Sequence, residues 1–403
     1  MSRAMKDSGI PWIGVIPKEW ETLKIKQVMR NKSIKGFPNE TVLSLYRDYG
    51  VVPKDSRDDN HNVTSEDTSS YKLVDIGDFV INKMKAWQGS MAVSQYRGII
   101  SPAYYICHIK NDGVDRRYIH YLLRNDSYKA EYMRLSTGLR VGQWDLNIDD
   151  FLSIPMVLPP VPEQQRIAEF LDRKCGEIDE AISLQEEFIE ELKAYKQSVI
   201  TEAVTHGLNP NVKFKDSGID WIGKIPQEWE CTKLKYYISV KSGDAIGNEM
   251  ISEQGQYPVF GGGEMIGYTN IYNSSRNDLL IGRIGARCGC VTMPLCDSWA
   301  TDNALILSTT ICLLYMYYLL IGCDLNKQNT SNAQPLITST KIKNTVVPVP
   351  PLSKQRQIAD YLDNKCSEID GLIAIKQQKI EELKDYKKSI IYEYVTGKKE
   401  CIF

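Results

Sequence analysis

PPVPEQQRIAEFLDRKCGEIDEAI, from Pro159 to Ile182, returns 191 residues later as PPLSKQRQIADYLDNKCSEIDGLI, from Pro350 to Ile373. The likeness continues through EELKAYKQSVI from Glu190 and EELKDYKKSII from Glu381, so about forty residues are repeated. A repeat of this kind fixes the architecture before any local reading does. In each copy a Pro-Pro pair holds the preceding chain extended. Pro162 suits a first helical position and Ser353 an N-cap. Only Gly176 interrupts the first copy, and nothing interrupts the second before Gly371. Leu171, Ile178, Gln185, Leu192 and Val199 fall seven apart, flanked by Cys175, Ile182 and Ile189. The second copy repeats this stripe as Leu362, Ile369, Lys376, Leu383 and Ile390, flanked by Cys366, Ile373 and Ile380. A heptad stripe predicts a coiled coil or one face of a bundle, and its partner lies in the same chain. Gln185 and Lys376 break both stripes at one register, where a polar residue fixes alignment. Forty helical residues make a rod of roughly 60 Å.

A second duplicated block precedes each helix at a distance. DSGIPWIGVIPKEWE (Asp7 to Glu21) and DSGIDWIGKIPQEWE (Asp216 to Glu230) share twelve of fifteen positions across an offset of 209. Because the offset falls from 209 to 191, the middle between box and helix is 18 residues longer in the first copy. Duplicated flanks around dissimilar middles predict one frame carrying two different inserts. The expected divisions are a tryptophan box (1–21), a first lobe (22–158), a long helix (159–206), a linker and second box (207–230), a second lobe (231–349) and a second long helix (350–403). Both middles alternate short strand-like runs with turns. YKLVDIGDFVINKM (Tyr71 to Met84) and NDLLIGRI (Asn277 to Ile284) each set an acid before an apolar strand that ends in Lys83 or Arg283. Each middle then carries a tyrosine-rich helix, YIHYLLR from Tyr118 and LYMYYLL from Leu314. The lobes read as distant α/β copies, aligned near Asp78 and Asp278 and near Gln143 and Gln334.

With 403 residues, 42% hydrophobic and 25% charged, the chain has the makeup of folded globular material. Its longest apolar run, Ile311 to Ile321, is too short to span a bilayer, and the first residues are polar and charged where a signal peptide needs an apolar core. The expected location is the cytoplasm, with ten reduced cysteines. Cys288, Cys290 and Cys296 lack paired CxxC spacing and a nearby histidine, so small buried thiols are expected there rather than zinc. The net charge of −2 hides an uneven distribution: +3 over residues 22–158, +1 over 231–349 and −6 over 163–205. The two lobes are mildly basic and the first long helix is acidic.

No catalytic constellation emerges. GGGEMIG at Gly261 and GRIGARCG at Gly282 match neither dinucleotide nor phosphate-loop spacing and read as turns with close backbone approach. The four histidines, His61, His108, His120 and His206, are scattered, and no serine elbow accompanies them. The dense carboxylates Glu186, Glu187, Glu190 and Glu191 lie on the first long helix, as a solvated face or a partner surface.

The DSGIxWIGxIPxEWE box, the PPxxEQxxIAxFLDxKxxEID helix start and the join VTHGLNPNVKFKDSGIDWIG at Val204 together resemble the specificity subunit of Type I restriction-modification systems. Lys354 stands where the first copy has Glu163, a departure read as touching helix capping alone. The resemblance implies an α/β fold: two α/β target recognition domains separated by two long helices in an antiparallel coiled coil, with an internal pseudo-twofold repeat. It implies a non-catalytic chain in which each recognition domain reads one half of a bipartite, gapped site on double-stranded DNA. The helices would act as a ruler and dock two modification (methyltransferase) subunits, which bind S-adenosylmethionine and methylate adenine at N6. Restriction subunits would add ATP- and Mg²⁺-dependent translocation and cleavage, leaving no cofactor or metal on this chain. On this reading Trp12, Trp20, Trp221 and Trp229 pack the joint between lobe and helix. Contacts to bases or phosphates are expected from Lys83, Lys85, Trp87, Gln88, Arg140 and Gln143 in the first lobe, and from Arg283, Arg287, Asn303 and Gln334 in the second. The alternative is a coiled-coil scaffold joining two protein-binding lobes.

Overall fold

The computed structural model describes residues 3–47, 49–56, 67–110, 113–138, 144–326 and 336–401. The chain divides into two compact units, one of residues 1–184 with 379–403 and one of residues 185–378. Both divisions fall inside long helices, Val161–His206 and Leu352–Val395, which are each continuous. Each unit therefore holds one lobe with one half of each helix.

Pro-Pro opens both helices. The carbonyl of Pro160 accepts from Glu163 N (2.8 Å) and Gln164 N (3.1 Å), and that of Pro351 from Lys354 N (2.8 Å) and Gln355 N (3.0 Å). Ser353 is thus not the N-cap but a helical residue, because the proline carbonyl before it already accepts the first helical bonds.

Inside each unit the helix halves run antiparallel. In the first, Phe170 packs on Tyr394 with tilted rings at 4.4 Å and Lys387 Nζ reaches both Asp179 oxygens at 2.7 Å. In the second, Lys196 Nζ reaches Asp370 at 2.8 and 2.6 Å, and Lys376 Nζ lies 4.8 Å over the Phe188 ring. The two ion pairs are one pair repeated, since Asp370 follows Asp179, and Lys387 follows Lys196, by 191 residues. Exposed pairs of this kind contribute only about 0–1 kcal/mol each, so they align the helices more than they hold them. The holding falls to the apolar stripe. Leu171, Ile178, Val199, Leu362, Ile369 and Ile390 are buried, and Leu192 and Leu383 are half-buried with Gln185 and Lys376. Each fully buried aliphatic side chain stabilises by roughly 1.5–3 kcal/mol.

Each lobe is built on a four-stranded antiparallel sheet. The first has the order Met29–Lys32, Tyr104–Ile109, Phe79–Asn82, Met91–Val93, and the second Ile238–Ser242, Ala304–Thr309, Leu279–Gly282, Val291–Thr292. The registers match: Cys107 faces Phe79 as Leu307 faces Leu279, and Tyr104 faces Asn82 as Ala304 faces Gly282. Asp78 and Asp278 do the same work at the start of the inner strand, accepting from Asp75 N (2.9 Å) and Ser275 N (2.8 Å) to close the turn before it. Asp78 is buried and neutralised by Lys32 Nζ at 2.5 Å, with His108 at 3.0 Å. Asp278 takes the hydroxyl of Ser308 at 2.6 Å.

Three devices fasten each lobe to its helices. A short strand after the box pairs with the strand before the long helix: Glu21–Lys24 with Pro155–Leu158, and Glu230–Lys233 with Val346–Val349. The tyrosine-rich helices Arg116–Arg124 and Leu313–Gly322 send one buried hydroxyl each to the last turn of a long helix, Tyr118 to Val395 O (3.0 Å) and Tyr315 to Val204 O (3.5 Å). The buried amides of Gln164 and Gln355 accept from Asp115 N (2.8 Å) and Cys312 N (3.1 Å), and each donates to the first proline of its Pro-Pro at 2.8 Å. The boxes form two-stranded hairpins, Met5–Asp7 with Val15–Pro17 and Phe214–Asp216 with Lys224–Pro226. Trp20 and Trp229 are buried in them. The first lobe alone shows a further helix, Asp126–Leu135, whose Tyr128 meets Trp12 edge-on at 6.2 Å; no counterpart occurs among the described residues of the second.

Candidate nucleic-acid interface

At one end of each central sheet, three segments converge on the residue that follows the inner strand. In the first lobe Lys83 N donates to Ala103 O (3.4 Å) while Lys83 O accepts from Leu146 N (3.1 Å). In the second Arg283 N donates to Asn303 O (2.9 Å) and Arg283 O accepts from Ile337 N (3.0 Å). The same backbone junction thus presents Lys83 and Ala103 in one lobe, Arg283 and Asn303 in the other.

In the first lobe the chain turns into a 3-10 segment, Lys83–Gln88, capped by Asn82 accepting from Met84 N at 3.2 Å. This turn carries four of the expected contact residues. Lys83 Nζ lies 3.5 Å from Asp145, and Lys85 is exposed. Trp87 is half-buried against Trp144 (5.3 Å), its indole N–H bonded to Met84 O at 3.2 Å, so it shapes the loop. Gln88 Oε1 accepts from Arg47 at 2.7 Å. Arg140 and Gln143 lie outside the described residues.

In the second lobe the segment after the strand is glycine-rich for a steric reason. A Cβ at Gly282 would sit 2.4 Å from the carbonyl oxygens of both Gly262 and Arg287, so only glycine lets these backbones approach. Arg283 reaches Ser242 Oγ at 3.5 Å, exposed Arg287 pairs with Glu264, and Asn303 is exposed. Gln334 lies outside the described residues. Cys288 is buried and donates to Arg283 O at 3.2 Å, whereas Cys290 and Cys296 are exposed. Among the described residues no group of three or more His, Cys, Asp or Glu could hold a metal ion.

Lys72, not among the expected contact residues, also stands at this sheet end. Its Nζ donates to Tyr104 O (2.7 Å) and Pro102 O (3.2 Å), beside the Tyr105 ring at 5.6 Å. Burial, and then the nearby charges of Lys83 and Lys35, push its pKa below the usual lysine range. Lys72 sits in a strand-like run where one lysine among apolar residues gives no sign that the fold sets it beside Lys83. His120, on the tyrosine-rich helix of this lobe, has Arg124 Nη1 2.6 Å from its Nε2; burial and that guanidinium lower its pKa to about 3, so it stays neutral.

The repeated architecture with two unlike sheet ends can be set against known proteins. The family model for the Type I restriction modification DNA specificity domain matches residues 17–194 and again 226–385. The chain belongs to this family. The Type I specificity chain is 25% identical to the MjaVIII specificity subunit of Methanocaldococcus jannaschii over 427 aligned positions, covering 95% of this chain and 93% of that protein. It is 29% identical to the EcoprrI specificity subunit of Escherichia coli over 154 residues, 38% of this chain and 37% of that one. Its fold matches a chain of a solved type I R-M system, with a TM-score of 0.70 at 16% identity over 94% of this chain and 98% of the other. It also matches the HsdS subunit from Thermoanaerobacter tengcongensis, with a TM-score of 0.51 at 16% identity over 95% and 98%. No helix among the described residues is long and apolar enough to cross a membrane.

Proposed function

We propose that each lobe of this specificity subunit reads one half of a bipartite, gapped site on double-stranded DNA through the loops at its sheet end, and that the chain itself performs no chemistry. The observation that carries this reading is the repeated junction with exchanged side chains. One backbone frame offers lysines and a tryptophan-braced turn in the first lobe, and two arginines with an asparagine in the second. Such a pair of unlike readers on like frames suits two unlike half-sites, because arginine favours guanine and asparagine or glutamine favours adenine in the major groove. Lysines beside them supply phosphate neutralisation, which positions the protein without specifying sequence.

The mild basicity of each lobe leaves a share of the phosphate neutralisation to other chains. The long helices carry the spacing between half-sites and dock two modification subunits, with the exposed Glu186, Glu187, Glu190 and Glu191 as part of that surface. S-adenosylmethionine, ATP and Mg²⁺ are then used by the modification and restriction subunits, in the cytoplasm. Electrophoretic mobility shift of the complex with its modification subunits, competed with unrelated duplex, tests the reading. A bound fraction that resists competitor on one gapped sequence supports it; equal displacement from every sequence would point to the scaffold.

A further inference from the structure

The two tryptophan boxes are nearly the same in sequence, yet one is closed by an internal carboxylate and the other is open. In the first unit the buried indole of Trp20 donates from Nε1 to Glu163 at 3.1 Å. Glu163, 7% exposed, also accepts both terminal nitrogens of Arg3 at 2.6 and 2.7 Å, and Arg3 Nε reaches Glu19 at 2.7 Å. In the second unit the equivalents of Trp20, Glu163, Arg3 and Glu19 are Trp229, Lys354, Val212 and Glu228. Trp229 is 6% exposed and packs on the helix-ending Gly207. Its Nε1 finds no acceptor among the described residues, and Lys354 Nζ has only Gln357 at 3.3 Å. Where the first unit has its network, the second has a cavity of about 860 Å³ walled in part by Trp229, Lys354, Ser353, Gln357, His206 and Lys213. The N-terminal end of the helix Leu352–Val395, whose Ser353 and Lys354 line the cavity, adds positive potential there. Glu228 also lines the cavity, and the arginine that its twin Glu19 serves has no counterpart in the second unit.

We infer that this cavity receives the carboxylate of an aspartate or glutamate side chain from a partner protein, taking in the second unit the place that Glu163 takes in the first. The donor pair is the N–H of the Trp229 indole, a side chain 6% exposed, and the Lys354 ammonium, both on the cavity wall, so the ligand is an anionic acceptor, and the carboxylate of Glu163 on the equivalent indole of the first unit gives its chemistry. The inference rests on the reading that the chain works in an assembly with modification subunits.

The test is zero-length carbodiimide cross-linking of the full chain in complex with those subunits, which joins a lysine to a carboxylate only where the two touch, followed by peptide mass spectrometry. The expected product links Lys354 to an aspartate or glutamate of the partner. The double variant Val212→Arg with Lys354→Glu rebuilds the first unit's network; it should lose that product and weaken assembly at least roughly tenfold, the lower end for loss of a buried interfacial charge pair. Lys354→Arg should assemble like the parent, which guards against a mere folding defect. A cross-link from Lys354 only to this chain's own Glu228, or parent-like assembly by the double variant, would overturn the inference. If no assembly forms at all, the assembly reading itself fails. The cavity is then judged on the chain alone, from the fluorine resonance of 5-fluorotryptophan at position 229 titrated with a glutamate-rich peptide. A shift that Lys354→Glu abolishes supports the site, and no shift, or the same shift with acetate, overturns it.

Discussion

Removing the carboxylate of Glu163 tests how the first box is held. Three N–H groups converge on this side chain, two from Arg3 and one from Trp20. Trp20 is fully buried, so its indole would be left without an acceptor in Glu163→Ala, at a cost of about 1–3 kcal/mol. Arg3 is partly exposed and keeps Glu19, so its loss adds only about 0.5–1 kcal/mol. The expected total is roughly 2–4 kcal/mol; for a unit of about 200 residues each kcal/mol shifts Tm by about 2–4 °C, giving a fall on the order of 5–15 °C. Glu163→Gln keeps one oxygen for Trp20 and should cost about half as much. Lys354→Ala, at an exposed residue with one weak bond, should change stability by less than about 0.5 kcal/mol. Differential scanning calorimetry of the full chain reads all three. Equal, small shifts for Glu163→Ala and Lys354→Ala would refute the claim that Glu163 anchors the box.

Gly397, at φ +70°, would place a new Cβ 2.4 Å from Pro17, so Gly397→Ala should destabilise by about 1–3 kcal/mol. Gly176 has open space around it inside a helix, and Gly176→Ala should stabilise by about 0.5–1 kcal/mol in urea melts, opposite in sign. Burial and Arg124 depress the pKa of His120, so its stabilising contribution is complete above the ordinary value near 6.5 and is lost as pH falls toward about 3. Between pH 6.5 and 5 the parent should therefore lose up to about 1.4 kcal/mol per unit more than His120→Gln, and parallel pH profiles would remove this role. Arg283→Ala should reduce discrimination at one half-site by about 1–3 kcal/mol in competition binding and leave the other untouched; uniform weakening on all sequences would make Arg283 a phosphate contact.

The frame was legible because it is written twice. The heptad stripe and the boxes follow from periodicity and offset, the equivalence of Asp78 with Asp278 follows from the acid set before each apolar strand, and the offset also told that the first middle carries extra chain, part of which is the helix Asp126–Leu135. Contacts between residues far apart in sequence were not legible. Glu163 stands near a helix start, so exchange for Lys354 looked like a capping change; its actual partners, Arg3 and Trp20, are 160 and 143 residues away. Gln164 and Gln355 were visible as a conserved pair within the repeat, but their task, capping the tyrosine-rich helices, appears only when the lobe closes on the long helix. At the candidate interface, residues just after an inner strand could be picked from the pattern of acid, apolar run and base. Lys72 could not, since which loops meet at a sheet end depends on strand order.

The central claim is that two unlike lobes on one repeated frame read two independent half-sites. Residues 22–158 can be replaced by the equivalent lobe of another family member, and methylated adenines mapped by single-molecule sequencing in cells that also express the modification subunits. The expected result is a new sequence in one half of the methylated site, with the other half and the gap unchanged. A site altered in both halves, or in neither, would contradict it.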